Sequence, residues 1–272
     1  MKQGIFTVAE NTQLTPTTWR MRLSGDTSGI TASGQFINIK LDGHFLRRPI
    51  SVNDVEYAGP YTGEGLGLSA DNGMVTIIYK VLGHGTEEMT RFAPGKKLDV
   101  LTGLGNGYDL EAAGENPLLI GGGVGIPPLH LAAKWLVNGM DGSKVRGKSR
   151  VTVILGFNSV EEIYGVDEFV ALGCRVVIAT ADGSVGVEGF VTDAFRELGS
   201  GYTHFYTCGP EPMLKAVYDT VYKEAGISGE MSFEERMGCG FGACMGCSCR
   251  TVTGYKRICK DGPVLRTEEI LW

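Results

Sequence analysis

The sequence predicts a multi-domain chain: an antiparallel β-barrel, then an α/β doubly wound domain, then a small C-terminal cysteine-rich domain. Three observations carry this. The first hundred or so residues hold short β-branched and aromatic runs separated by turn residues. Beyond them, strand-like runs alternate with helical apolar spacing, the pattern of a parallel sheet. Five of the seven cysteines fall between Cys239 and Cys259, and the last segment matches neither earlier rhythm. The expected boundaries are 1–101, 102–228 and 229–272.

In the first region Ile5–Val8, Trp19–Leu23, Phe36–Leu41 and Val75–Tyr79 read as strands, and another begins near Arg48. Ser24-Gly25-Asp26 and Asp71-Asn72-Gly73 read as turns. A short helix is expected after Gly85, across Thr86 to Phe92. In the second region Pro117–Ile120, Val151–Leu155, Val176–Ala179 and Thr203–Tyr206 are expected strands. Pro128–Asn138 and Glu211–Ala225 are expected helices. The stretch Thr102–Gly107 is glycine-rich and marks the passage between the two.

Composition bounds the function. With 43% hydrophobic and 21% charged residues the balance is that of a soluble globular protein. A net charge of -6 argues against a nucleic-acid surface. There is no apolar run long enough to span a membrane. Met1–Ile5 lacks the apolar core of a secretion signal, so a cytoplasmic location is expected. In such a compartment a local cysteine cluster points to a metal site rather than to disulfides.

The cysteine spacing is Cys239-x4-Cys244-x2-Cys247-x11-Cys259. A C-x4-C-x2-C run with a distant fourth cysteine is the plant-type 2Fe–2S pattern. The thiolates must curl around one inorganic core, and Gly238, Gly240, Gly242 and Gly246 give the loop that freedom. A structural zinc site is the alternative, but its usual C-x2-C knuckle fits a C-x4-C step poorly. Cys249 is the spare, a core thiol or a substitute for Cys247 or Cys259.

Two stretches suit a flavin nucleotide. In Arg48-Pro49-Ile50-Ser51 an arginine can grip a pyrophosphate bidentately and a serine can reach a ring nitrogen. Ile78-Tyr79-Lys80 is followed by Gly85-Thr86, where free backbone N–H groups at a helix start can hold an anion. Alone, the Arg47-Arg48 pair reads as a solvated face and Gly85-Thr86 as a plain N-cap. A third stretch, around Gly121, Gly123 and Gly125, follows a strand and opens a helix, as a dinucleotide loop does. It departs from G-x-G-x-x-G, because Ile126 or Pro128 stands at the third glycine position. Cys208-Gly209 ends a later strand, where ligands of such sheets bind; its alternative is a buried small residue.

The order of these stretches resembles the ferredoxin-reductase superfamily, and in particular the electron-transfer subunits of type-B dihydroorotate dehydrogenases. The resemblance covers essentially the whole chain. Its most specific part is Glu234-Glu235-Arg236-Met237-Gly238-Cys239-Gly240-Phe241-Gly242-Ala243-Cys244-Met245-Gly246-Cys247, then Cys259-Lys260-Asp261-Gly262-Pro263. It implies that Arg48, Pro49, Ile50, Ser51, Ile78, Tyr79, Lys80, Gly85 and Thr86 bind FAD. It implies that Gly121, Gly123, Gly125, Cys208 and Gly209 frame NAD, and that Cys239, Cys244, Cys247 and Cys259 hold the 2Fe–2S cluster, with Cys249 left out. It further implies a catalytic dihydroorotate dehydrogenase partner carrying FMN, and a heterotetramer of two chains of each kind. No side chain here is expected to act as acid or base. The acids Glu161 and Glu162 after Phe157, with no arginine, favour NAD over NADP. Subunits feeding a hydrogenase, a ferredoxin or a glutamate-synthase-like partner are the enzymatic alternative, and a zinc-stabilised binding module the non-enzymatic one.

Overall fold

The computed structural model describes residues 1–57, 73–139 and 149–272. The turn expected at Asp71-Asn72-Gly73 lies, Gly73 apart, outside the described residues. Six strands, β1 (Lys2–Gln13), β2 (Thr18–Gly25), β3 (Phe36–Ile39), β4 (Arg48–Glu56), β5 (Gly73–Lys80) and β6 (Lys97–Leu104), close an antiparallel barrel in the order β1-β2-β5-β4-β3-β6. Alternation builds its interior. Met21 and Leu23 of β2 point inward while Arg20 and Arg22 stay partly exposed, and Phe6, Ile37, Val52, Ile77 and Val100 fill the centre. Helix α1 (His84–Met89) buries Met89 against this core, and is shorter than the helix expected across Thr86 to Phe92. Strand β6 runs past residue 101 to Leu104, so the barrel reaches beyond its expected boundary.

The second layer is a sheet of β7 (Leu118–Gly122), β8 (Thr152–Phe157), β9 (Arg175–Thr180), β10 (Val187–Glu188), β11 (Phe205–Cys208) and β12 (Gly229–Ser232). These are parallel. Helices α2 (Ile126–Asn138), α3 (Val166–Ala171), α4 (Val191–Leu198) and α5 (Glu211–Val217) flank it, and a π-helical turn over Tyr218–Glu224 extends α5. Helix α2 is buried nearly all round because it is also held to the barrel. His130 Nδ1 lies 3.2 Å from the Asn53 carbonyl, and Lys134 pairs with Asp54 at 2.7 Å.

The C-terminal segment forms a hairpin, β13 (Ser248–Thr251) with β14 (Gly254–Arg257), followed by β15 (Val264–Arg266). Strand β15 pairs antiparallel with β12, completing the sheet order β10-β9-β8-β7-β11-β12-β15. The segment expected as a separate domain thus contributes two strands to the nucleotide sheet. One apolar cluster joins Ile258, Cys247 and Cys259 to Phe36 and Leu104 of the barrel and to Leu118 and Phe205 of the sheet.

Phe205 is fully buried, and its ring occupies the space a Cβ on Gly229 would need, locking β11 to β12. Phe205→Ala should lower stability by about 3–5 kcal/mol. Chemical denaturation followed by circular dichroism checks this; a loss below about 1 kcal/mol would place the weight of this junction elsewhere.

Candidate cofactor sites and metal centre

Among the described residues, β4 and β5 part at one end of their ladder. Strand β4 pairs with β3 over Arg48–Ser51, but meets β5 only from Val52, opposite Ile77. Beyond Ile77, strand β5 continues Ile78-Tyr79-Lys80 paired with β2 alone. Among the described residues, Arg48–Ser51 and Ile78–Lys80 therefore line two diverging strands with no ladder between them. Backbone groups left open along such a slot need partners. A flat ring with a hydrogen-bonding edge supplies them.

The two arginines divide. Arg47 is engaged in the barrel: Nη1 donates to the Asp99 carbonyl at 3.0 Å and Nη2 to the Asp99 carboxylate at 3.0 Å. Arg48 instead lies over Gly85, where any Cβ would overlap its guanidinium. The glycine lets the backbone approach, and the charge stands beside the α1 N-terminus, a fit for phosphate. Thr86 Oγ1 accepts the N–H of Leu82 at 2.9 Å and of Gly83 at 3.2 Å, so its hydroxyl serves the turn and its backbone N–H is what remains for an anion. The Tyr79 ring is buried and its hydroxyl donates to Asn11 at 3.1 Å. Burial pushes that phenol well above its ordinary range. Tyr79 thus meets the slot with its backbone. Lys80 reaches toward Glu162 at 3.9 Å.

At the C-terminal ends of the parallel strands, two loops interlock. A Cβ on Gly125 would overlap the backbone of Cys208 and Gly209, and Gly121 packs under Ile126 and Leu129. These glycines let the β7–α2 turn sit against the end of β11. Gly123 differs: it is left-handed, with φ 52°, and nothing lies near its missing Cβ, so it faces the open side. Its carbonyl accepts from Tyr164 at 2.7 Å. Cys208 is half-buried, and desolvation pushes its thiol up to about 12 despite a hydrogen bond with Ser232, its neighbour across β12. It stays a neutral thiol. Tyr108, unflagged by the sequence pattern, also contacts Ser232 and donates to the Thr207 carbonyl at 3.1 Å.

The four predicted cysteine ligands converge as two pairs. Cys239 and Cys244 are in side-chain contact, as are Cys247 and Cys259, and Cys239 is close enough to influence Cys259. Among the described residues, no three metal-binding side chains gather around one point. Two thiolates per iron is what a two-iron core takes. The loop curls through left-handed Gly240 and Gly242, and Met245 also adopts φ 61°. Burial raises the Cys239 thiol, but N–H groups from Phe241, Cys244 and Ala243 outweigh it and bring it down to about 6. Ala243 N–H donates to its sulfur at 3.2 Å. Such donors favour a thiolate and tune a cluster. Cys259 is pushed up to about 12 by burial and then by Cys247 beside it. A metal core would deprotonate it outright.

Arg257, also missed from sequence, ties this loop together. It donates to the Gly242 carbonyl at 2.9 Å and grips Asp261 through Nε at 2.8 Å and Nη2 at 3.0 Å. Hydrogen bonds from Arg257 lower Asp261 to about 2. Cys249 stands apart on β13. It lines a cavity of about 710 Å³ with Pro49 of the slot, Gly209 and Pro210 of the nicotinamide-type loop, and the C-terminal Trp272.

Residues 234–271 match the family model of the iron-sulfur cluster binding domain of dihydroorotate dehydrogenase B. The whole chain is similar to the electron transfer subunit of dihydroorotate dehydrogenase B (NAD(+)) of Fusobacterium nucleatum, at 39% identity over 99% of this chain and 99% of that one. The Bacillus pumilus protein of the same name is 37% identical, over 99% and 98%. Among solved structures, an NADH-dependent reduced ferredoxin-NADP oxidoreductase superposes with TM-score 0.81 and 26% identity, covering 99% of this chain and 90% of that one. A ferredoxin NADP+ reductase from Neisseria gonorrhoeae, at TM-score 0.63 and 17% identity over 82% and 92%, shares the fold.

The pairing separates ligands from bystander. Cys244→Ser and Cys259→Ser should abolish the visible iron–sulfur absorbance of anaerobically purified protein, and Cys249→Ser should keep iron and sulfide at wild-type content. Loss of the cluster in Cys249→Ser would reassign the fourth ligand, and a colourless, zinc-loaded wild type would refute the cluster itself.

Proposed function

The chain belongs to the electron-transfer subunits of NAD-dependent dihydroorotate dehydrogenase B, and we propose from that premise that it carries electrons from a partner dihydroorotate dehydrogenase chain holding FMN, by way of a 2Fe–2S cluster and FAD, to NAD⁺, within pyrimidine biosynthesis. The observation that carries this reading is convergence. Pro49 of β4, Gly209 and Pro210 after β11, and Met237 and Cys249 of the cysteine-bearing segment line one cavity.

A flavin held by this chain would supply two-electron exchange with a nicotinamide and one-electron exchange with a cluster. The chain's own residues hold these groups and keep water out. Arg48 and the N–H groups at Gly85-Thr86 hold the flavin phosphates. Pro49, Ile50, Ser51, Ile78, Tyr79 and Lys80 present the slot. Gly121, Gly123, Gly125, Cys208 and Gly209 shape the nicotinamide side. Cys239 with Cys244, and Cys247 with Cys259, hold the cluster. No acid–base role is assigned to any side chain, and the neutral Cys208 thiol suits contact with a ring rather than proton transfer.

NAD is favoured over NADP by the acids after β8. Glu162 accepts from Asn158 at 2.8 Å, close to where a 2′-phosphate would need a cation. The expected assembly is a heterotetramer of two of these chains and two catalytic chains. Among the described residues no helix is long and apolar enough to cross a membrane, and a cytoplasmic site of action is proposed.

Two experiments test the reading. Affinity purification of the tagged chain from its native host should bring down a catalytic dihydroorotate dehydrogenase chain in equal amount; a hydrogenase or glutamate-synthase-like chain in its place would overturn the partner. Arg48→Ala should reduce bound FAD at least tenfold, the scale of a lost charge-assisted hydrogen bond. Full FAD occupancy in that variant would sink the arginine assignment.

A further inference from the structure

Contacts within the chain hold Arg48 in place. Its Nη1 donates to the Leu46 carbonyl at 2.5 Å, and its Nη2 lies 2.9 Å from Nδ1 of His44. The other ring nitrogen of His44, Nε2, lies 2.9 Å from a carboxylate oxygen of Glu88 on α1. Chemistry fixes the roles. A guanidinium only donates, and an ionised carboxylate only accepts. Nδ1 of His44 must therefore carry the lone pair and Nε2 the proton, which is the neutral tautomer held between two charges of opposite sign.

We propose that His44 and Glu88 are positioning residues for flavin binding: Glu88 sets the His44 tautomer, neutral His44 holds the Arg48 guanidinium over Gly85, and FAD affinity falls when His44 is protonated. The inference rests on the reading that Arg48 binds the FAD pyrophosphate. It adds two residues outside every motif the sequence offered. His44 lies in the loop before β4, and Glu88 on the partly exposed side of α1.

The direction of the pH effect follows from the donor count. Protonated His44 presents an N–H at Nδ1 to the N–H of Arg48, so the hydrogen bond is lost and two cations face each other. Arg48 then swings from its place over Gly85. Affinity is complete with a neutral His44 and falls with a protonated one. Other charges also face this point. Glu88 of α1 and Arg48 of β4 contact the ring directly. His84 and Glu87 of α1, and Arg91 just beyond it, line the same cavity of about 560 Å³. His84 is the competing titratable group and needs its own control.

The test is the FAD dissociation constant of the full-length chain, read by flavin fluorescence at about pH 8 and about pH 5.5, the range over which histidine changes charge. Wild type should bind about tenfold more weakly at the lower pH, equivalent to one hydrogen bond to a charged group. His44→Phe should show a similar loss already at the higher pH. His44→Gln is the decisive variant. Its amide can accept from Arg48 and donate to Glu88 at either pH, so it should bind as wild type at pH 8 and lose most of the pH dependence. His84→Gln should keep that dependence. The proposal is overturned if His44→Phe binds FAD like wild type, or if His44→Gln retains the full pH response. Arg48→Ala separates the layers. If it weakens FAD binding while His44→Phe does not, only the positioning role fails. If it leaves FAD binding unchanged, the pyrophosphate reading fails and this proposal with it.

Discussion

The pairing of β12 with β15, residue on residue from Glu230 opposite Arg266 to Ser232 opposite Val264, anchors both ends of the cysteine segment on the nucleotide sheet. Everything between those strands is a loop of chain tied at its base. Phe233 N–H donates to the Pro263 carbonyl at 2.9 Å. Asn106, at the end of the barrel, donates to the Val264 carbonyl at 2.7 Å and accepts from the Val264 N–H at 3.0 Å. A one-electron relay is sensitive to separation, so a cluster on a freely hinged domain would be a poor conductor. Here the barrel, sheet and cysteine segment share an apolar core.

The same economy governs the site. Adjacent residues of like type do unlike work because their surroundings differ. Arg47 closes the barrel against Asp99 while Arg48 faces the flavin slot. Gly125 permits two backbones to touch, whereas Gly123 takes a left-handed turn and faces open space. Cys239 is steered toward thiolate by backbone donors, while desolvation pushes the thiol of half-buried Cys208 up.

Sequence reading reached what is local. The cysteine loop, the Arg48–Ser51 strand and the glycine turn into α2 were legible because short spacing alone sets their geometry. It did not reach β6, whose Lys97-Leu98-Asp99-Val100 alternation is brief and charged, nor the join of β12 to β15, which depends on pairing across the whole cysteine loop. The boundary drawn at 229 therefore cut through a sheet. Glu211–Ala225 read as one helix, and the structure divides it into α5 and a π-helical turn, a register change that apolar spacing does not reveal. Tyr108, Arg257, His44 and Glu88 were invisible for a common reason: each acts through a partner brought near by folding, and none belongs to a pattern.

The chain links a nicotinamide site to an iron–sulfur cluster through its flavin. Anaerobic titration of the isolated, cofactor-replete chain with NADH, followed by optical and electron paramagnetic resonance spectra, tests it most directly. The flavin band should bleach and a reduced 2Fe–2S resonance should grow in with it. A flavin that bleaches while the cluster stays oxidised and silent, with a strong reductant able to reduce that same cluster at a potential NADH can reach, would contradict the account.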